Sequence, residues 1–264
     1  MENILLRSDQ KEIAILTLNS PKNLNALSEA MLDALKTNLE EIQRSKKIKA
    51  VIIRAAGKAF CPGHDLREMQ AKRDLENDGG RAYFEDLLSR CTHVMKLIRE
   101  LPQPVIAEIQ GVAAAAGCQL VATCDIAVAS EEASFGVNGV NIGLFCSTPM
   151  VAVSRNISRK KIMEMLLTGE KLSANEAVQF GLINKCVPLE RLHADTLNLA
   201  KLIASKPTST VKIGKEAFYK QVEMSLDDAY NYTSEVMAIN MMEIDAHEGI
   251  SAFLDKRTPS WNEK

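Results

Sequence analysis

The sequence predicts an α/β fold in which short parallel strands alternate with crossover helices, and three observations carry that expectation. Runs rich in β-branched residues recur between stretches of helical periodicity. Two of the strand candidates end directly in turns rich in Gly, Ala or Pro. The last third, after Pro188, holds helical patterns and no convincing strand. Alternation in this order feeds parallel strands through crossover helices.

Taken in order, a strand-like segment starts almost at the N-terminus, and Ile13–Leu18, Lys49–Arg54, Val105–Ile109, Asp125–Ala129 and Ile183–Val187 read as strands. Ser28–Arg44 reads as a helix, because Met31, Leu35, Leu39 and Ile42 share one face. Ser28 suits its N-cap and Glu29 its first turn. Ala71–Arg81 is polar, of mixed charge and contains Gly79-Gly80, which marks it as a mobile loop. Residues 83–98 form the clearest helix, stopped by Pro102 and Pro104. Ser173-Ala-Asn-Glu176 is a capping box and Gly181 suits a C′ position, so a two-turn helix lies between them. Leu189–Ile203, Val211–Tyr219 and Leu226–Ile244 complete the helices, and Met237, Met241 and Met242 give the last a soft, packable surface. The chain divides accordingly into a core, 1–190, and a helical region, 191–264, too apolar to stand free.

The 264 residues are 46% apolar and 25% charged, ordinary values for a globular protein able to bury a core. Basic and acidic residues nearly balance, for a net charge of −2, which gives no electrostatic footprint for nucleic acid or an anionic membrane. A local patch of a few cations for a small anion stays open. No apolar run approaches the ~18 residues of a membrane span. Six cysteines (61, 91, 118, 124, 146, 186) lack a CxxC pair or a His cluster. They predict free thiols in a reducing compartment and no metal site. Cytoplasm is the expected location, and an organelle matrix would look the same. No G-x-G-x-x-G follows the first strand and no G-x-S-x-G elbow occurs, which excludes dinucleotide and serine-hydrolase readings.

The two glycine turns carry the chemistry. Gly57-Lys-Ala-Phe-Cys-Pro-Gly-His-Asp-Leu66 follows the second strand, and Gly111-Val-Ala-Ala-Ala-Ala-Gly-Cys-Gln-Leu120 the third. Small residues let a ligand approach the main chain, and two such turns side by side could aim two N–H donors at one oxygen. With Asn19–Leu27, Cys124-Asp125, Ala133–Gly136, Leu167–Gly169, Ser173–Ala177 and Glu248–Pro259, they resemble the enoyl-CoA hydratase/isomerase (crotonase) superfamily over nearly the whole chain. The resemblance implies a spiral of ββα units with a C-terminal helical trimerisation region, assembled as a trimer or a dimer of trimers. It implies an acyl-CoA thioester as ligand, with coenzyme A entering as part of the substrate and no permanently bound cofactor. The oxyanion-hole donors become the N–H groups of His64 and Ala116. Cys61 and Pro62 would border the adenine, while Lys22 and a neighbouring chain's Lys256 would meet the phosphates.

The pattern departs where hydration needs it. The family's two glutamates fall on Gln119 and Gly139, and an amide and a missing side chain cannot take a proton from water. An Asp used by some members falls on Ser147. What survives is carbonyl polarisation, which suits altered chemistry on acyl-CoA, a non-catalytic binder, or decarboxylation of a malonyl-type thioester. Restoring Gln119→Glu and Gly139→Glu together is expected to return some hydration. Cys118, Cys146 and Ser147 are candidate nucleophiles without a visible base, so packing is the plainer reading. Asn138 and Asn141 suit turns, Asp65 suits bracing the first turn, and Glu68 could reach the acyl pocket. His93, His193 and His247 read as surface residues, and the His64 ring points away from the hole.

Overall fold

The computed structural model describes residues 3–75 and 77–262. Six strands form one sheet in the order β1 (Leu5–Gln10), β2 (Ile13–Leu18), β3 (Ala50–Ala55), β5 (Val105–Ile109), β7 (Ile126–Ser130), β10 (Lys185–Val187). Only β1 runs antiparallel to its neighbour. Four three-residue strands make a second sheet, β4 (Ala59–Cys61), β6 (Val112–Ala114), β8 (Ser134–Gly136) and β9 (Lys171–Ser173). The chain therefore repeats one step. A long strand enters the first sheet, a short one enters the second, and helix returns to the start. The expected ββα spiral is this structure.

The helices in chain order are α1 (Glu29–Arg44), α2 (Leu66–Leu75), α3 (Arg81–Glu100), α4 (Ala116–Thr123), α5 (Pro149–Val153), α6 (Arg159–Thr168), α7 (Ala174–Gln179), α8 (Leu189–Ala204), α9 (Thr208–Gln221), α10 (Leu226–Met241) and α11 (Ile244–Leu254). The Ser28 hydroxyl accepts the Met31 N–H at 3.2 Å and so starts α1. Both bonds of the Ser173–Glu176 capping box are made. The central strands of the large sheet, β2, β3, β5 and β7, are buried on both faces, which explains their continuous apolar runs. Alternation divides their side chains. Val51 and Ile53 join the main core with α1 and α3, whereas Ala50 and Ile52 pack on the other side with Leu192, Ala200 and Ala204 of α8.

Three expectations need correction. Ala71–Leu75 is the last stretch of α2 rather than loop, and only Asn77–Gly80 of that segment is turn, Glu76 lying outside the described residues. Helix α2 buries none of its residues, so it has no apolar face for periodicity to detect. The final predicted helix, Leu226–Ile244, ends as α10 at Met241, and beyond Met242-Glu243 follows α11, a helix that the sequence reading did not name. His193 is no plain surface residue. Its Nδ1 lies 2.9 Å from Glu108 Oε2, whose side chain is buried in β5, and 3.0 Å from an Arg54 guanidinium nitrogen. That cluster fastens α8 to the sheet.

A second clamp holds α9. Lys215 donates to Asp125 Oδ2 at 2.7 Å and to the carbonyls of Ile98 and Gln103, while the Tyr219 hydroxyl donates to Asp125 Oδ1 at 2.8 Å. Burial lowers the Lys215 pKa, and the Asp125 charge opposes that shift. Both partners are largely buried, with side-chain exposures of 7% and 15%. Removing one partner strands the other, at a cost of about 3 kcal/mol. Lys215→Met should accordingly lower the urea midpoint without changing the slope. An unchanged midpoint would show that the pair holds nothing.

Candidate active site

The two glycine turns meet at the ends of β4 and β6. Gly63 has φ +109, and a Cβ placed on it would stand 3.0 Å from Ala115 Cβ and 3.3 Å from Ala116 N. A Cβ on Gly117 would stand 2.0 Å from the Cys61 carbonyl oxygen. Neither contact survives a larger residue without movement, so glycine at both places lets the backbones touch. The N–H groups of His64 and Ala116 donate to no protein acceptor among the described residues. Ala116 opens α4 without positive φ, and the strain falls one residue earlier, on Ala115 at φ 47 and ψ −120. A non-glycine residue held in that region costs of order 1–3 kcal/mol, and such strain gathers at functional sites.

The His64 ring does turn to protein. Its Nδ1 is 3.2 Å from the Leu27 carbonyl, which can only accept, so the proton sits on Nδ1. Nε2 is buried without a partner, and burial lowers the ring's pKa and keeps it neutral. Asp65 braces the turn as expected, its Oδ1 accepting the N–H of Arg67 at 2.9 Å and of Glu68 at 3.4 Å. Glu68 does not reach the pocket. Its carboxylate accepts the Glu29 N–H at the start of α1.

A cavity of about 740 Å³ opens beside these turns. Lys22, Pro62, His64, Gly139 and Ser147 line it, together with Arg67 and Lys171, which the sequence reading passed over. Cys61 is fully buried under α4, so only Pro62 of that pair reaches the cavity. Lys256 lies beyond α11 at φ 54 and outside the lining residues of its own chain. Ala114, Ala115, Leu66, Met69 and Leu88 give the cavity an apolar wall. Ser147 is exposed, its hydroxyl turned to the Phe145 carbonyl at 3.4 Å.

Gln119 and Gly139 do not share one chamber. Gly139 lines the first cavity, whereas Gln119 lines a second, of about 660 Å³, between α4, α5 and α9. Thr148 lines both. Gln119 is 5% exposed and its Oε1 has no partner. The place of a side chain at 139 is taken: a Cβ there would lie 2.4 Å from the Leu144 carbonyl oxygen and 2.9 Å from Cys146 Sγ. The Gly139 N–H donates to that sulfur at 3.3 Å, and the Leu144 N–H returns to the Gly139 carbonyl at 3.0 Å. Asn141 rests over Gly169. All six cysteines are free, and burial pushes the thiols of Cys61, Cys91 and Cys118 up to about 12. Among the described residues, no helix is long and apolar enough to cross a membrane.

Comparison with known proteins is in keeping with this geometry. The sequence profile of the enoyl-CoA hydratase/isomerase family matches residues 8–264. Mouse enoyl-CoA hydratase domain-containing protein 3, mitochondrial, is 47% identical over 253 residues, covering 96% of this chain and 82% of that protein. The crystal structure of the human protein of that name superposes with a TM-score of 0.93 at 45% identity, over 98% of this chain and all of the other. An enoyl-CoA hydratase structure from Mycobacterium smegmatis gives 0.94 at 48% identity, over 98% and 99% of the two chains. With its spiral of ββα units, its paired glycine turns and a match from residue 8 to its end, the chain belongs to the enoyl-CoA hydratase/isomerase family.

Proposed function

We propose that the larger cavity binds an acyl-CoA thioester and that the N–H groups of His64 and Ala116 polarise its carbonyl. The observation that carries this reading is a pair of uncommitted backbone donors on two touching turns. Such donors act where charge develops on an oxygen and are worth most away from water. Lys22, Arg67 and Lys171 supply cations for the phosphates of coenzyme A, which enters and leaves as part of the ligand, with no resident cofactor. The names of the mammalian relatives support a mitochondrial location over the cytoplasm for a chain whose thiols are free.

Hydration is the family reaction that these residues support least. Asp65 is the one carboxylate among the cavity's lining residues, and it is spent on capping α2. Each absent acid–base group lowers a rate by ~10²–10⁴. The same observation favours a second reading, decarboxylation of a malonyl-type thioester, in which loss of CO₂ leaves an enolate that only the two N–H groups need to hold. A binder without turnover is the limiting case.

The tail supports self-association as a trimer or a dimer of trimers. Helix α10 buries no residue within its own chain, and Tyr230, Met237, Met242, Ile244 and Phe253 are all more than 60% exposed. Monomers rarely leave apolar surface of that extent uncovered.

Three outcomes check these readings. Bound crotonyl-CoA labelled at the thioester carbon should show its carbonyl stretch at lower frequency than in water; an unshifted band means that no hole is formed. Methylmalonyl-CoA should release CO₂ faster than crotonyl-CoA is hydrated, and the reverse order would defeat the decarboxylase reading. Light scattering should give three or six times the 29.1 kDa chain mass, and a monomer would refute the assembly.

The rescue expected from sequence is revised by the packing at Gly139. Gly139→Glu should cost roughly 1–3 kcal/mol through overpacking against Leu144 and Cys146. Gln119→Glu is near isosteric and should fold, yet Gln119 lines the other cavity and its Oε1 is buried. The double variant should therefore hydrate crotonyl-CoA no faster than the parent. A measured gain would mean that the 138–146 loop moves aside.

A further inference from the structure

We infer that the second cavity, between α3, α4, α5 and α9, is a separate binding site for a medium-chain carboxylic acid that carries a hydroxyl at its far end. This site goes beyond the acyl-CoA reading of the larger cavity and does not rest on it, since only Thr148 lines both.

The cavity is built by helix faces. Met95 and Arg99 of α3, Gln119 and Ala122 of α4, and Phe218 and Val222 of α9 stand three or four residues apart, so each helix turns one face inward. The volume, about 660 Å³, is ordinary for a small-molecule site, and such sites are mostly apolar with a few placed polar groups.

Gln119 is the placed polar group at one end. It is 5% exposed, and its amide makes no hydrogen bond to protein among the described residues. Oε1 is sealed, so Nε2 is the end left with surface on the cavity. The neighbouring Thr123 hydroxyl is spent on the Gln119 main-chain carbonyl at 2.7 Å and does not relieve the amide. Buried side-chain amides are nearly always bonded, and one that lines a cavity unbonded points to a ligand that completes it. No protein partner fixes its rotation, so it can present a donor or an acceptor. A hydroxyl, which is both, pairs with either.

Cations mark the other end. From Gln119, α4 runs toward Asp125, roughly 9 Å away at the helical rise of 1.5 Å per residue. Tyr219 donates to that carboxylate, and the Arg99 guanidinium lies over the Tyr219 ring, 4.6 Å from its centroid. Lys96 stands one turn before Arg99 on the same lining face. The two acids that line the cavity are already taken, Asp125 by Lys215 and Glu223 by Arg155. Lys96 and Arg99 keep no carboxylate partner among the described residues, and a ligand carboxylate supplies one. Between the two ends Met95, Ala122, Val151 and Phe218 offer apolar surface, and a chain of octanoate length joins them.

The test is calorimetric titration of the full-length protein with octanoate, ω-hydroxyoctanoate and octanol. The hydroxy acid should bind about fivefold more tightly than octanoate, the net worth of one neutral hydrogen bond, and octanol at least tenfold more weakly. Lys96→Gln and Arg99→Gln should each weaken the hydroxy acid about tenfold. Gln119→Leu should erase the preference for the hydroxyl while octanoate still binds. A photoreactive octanoate analogue should label α3, α4, α5 or α9 on the unmodified chain, which gives an answer even if a variant fails to fold. Absence of binding by both acids, equal affinity for them, or octanol binding as tightly as octanoate overturns the assignment. Labelling confined to α10 and α11, whose exposed apolar side chains take up any amphiphile, overturns it too. Saturating butyryl-CoA separates the two cavities. An unchanged octanoate affinity supports two sites, whereas competitive displacement means that the cavity holds the thioester's own acyl chain, and the separate site falls. If the acids bind and butyryl-CoA does not, the acyl-CoA reading falls and this site stands.

Discussion

The site depends on one steric constraint: two strand ends from successive turns of the spiral must lie against each other with no side chain between them. Gly117 lies under the Cys61 carbonyl and Gly63 lies against Ala115 and Ala116, at separations that a methyl group would abolish. That approach fixes β4 beside β6 and brings His64 and the start of α4 close together at the cavity's edge. Ala115 carries backbone strain to complete the arrangement, and the surrounding core over-determines it. The chemistry open to the molecule follows from this backbone contact before any reactive side chain is considered.

The rest of the fold keeps that contact rigid. Asp125 follows α4 directly, and its carboxylate accepts the Val105 N–H, the Lys215 ammonium and the Tyr219 hydroxyl. One residue thus links a central strand, the end of the site's helix and α9, the second helix of the tail. The wall that α9 gives the second cavity is therefore positioned by the same carboxylate that anchors the strand leading to the site. Glu108, His193 and Arg54 do the corresponding work for α8 on the opposite face of the sheet.

Most of the scaffold was legible because burial and periodicity agree. Ile13–Leu18 and Val105–Ile109 appear as strands with the expected ends, and Ser28 caps α1 through its own hydroxyl. Helix α2 was not legible, since a helix without a buried face leaves no apolar repeat. The four short strands were not legible either, being three residues each and defined by pairing alone. At the site, the sequence named His64, Ala116 and Gly139 through their place in the motif. It had no means to show that Gln119 and Gly139 line different cavities, because each cavity is walled by elements brought together only in space. Arg67 and Lys171 were missed for a similar reason: a lone cation in a polar helix or a short strand carries no signal of what it faces.

Gly139 shows why a missing catalytic residue differs from a vacant position. Had only the carboxylate been lost, the space beyond its Cβ would be open and a single substitution could refill it. Here the Leu144 carbonyl and the Cys146 sulfur occupy that space and are tied to Gly139 by hydrogen bonds in both directions. The loop packs directly on this residue, so its backbone requires glycine at 139. A side chain at 139 would need the loop to open at the cost of both bonds, which is a packing change rather than the exchange of one side chain. The group left at that position is a thiol. That sulfur, held by the Gly139 N–H, closes the space that a side chain at 139 would need.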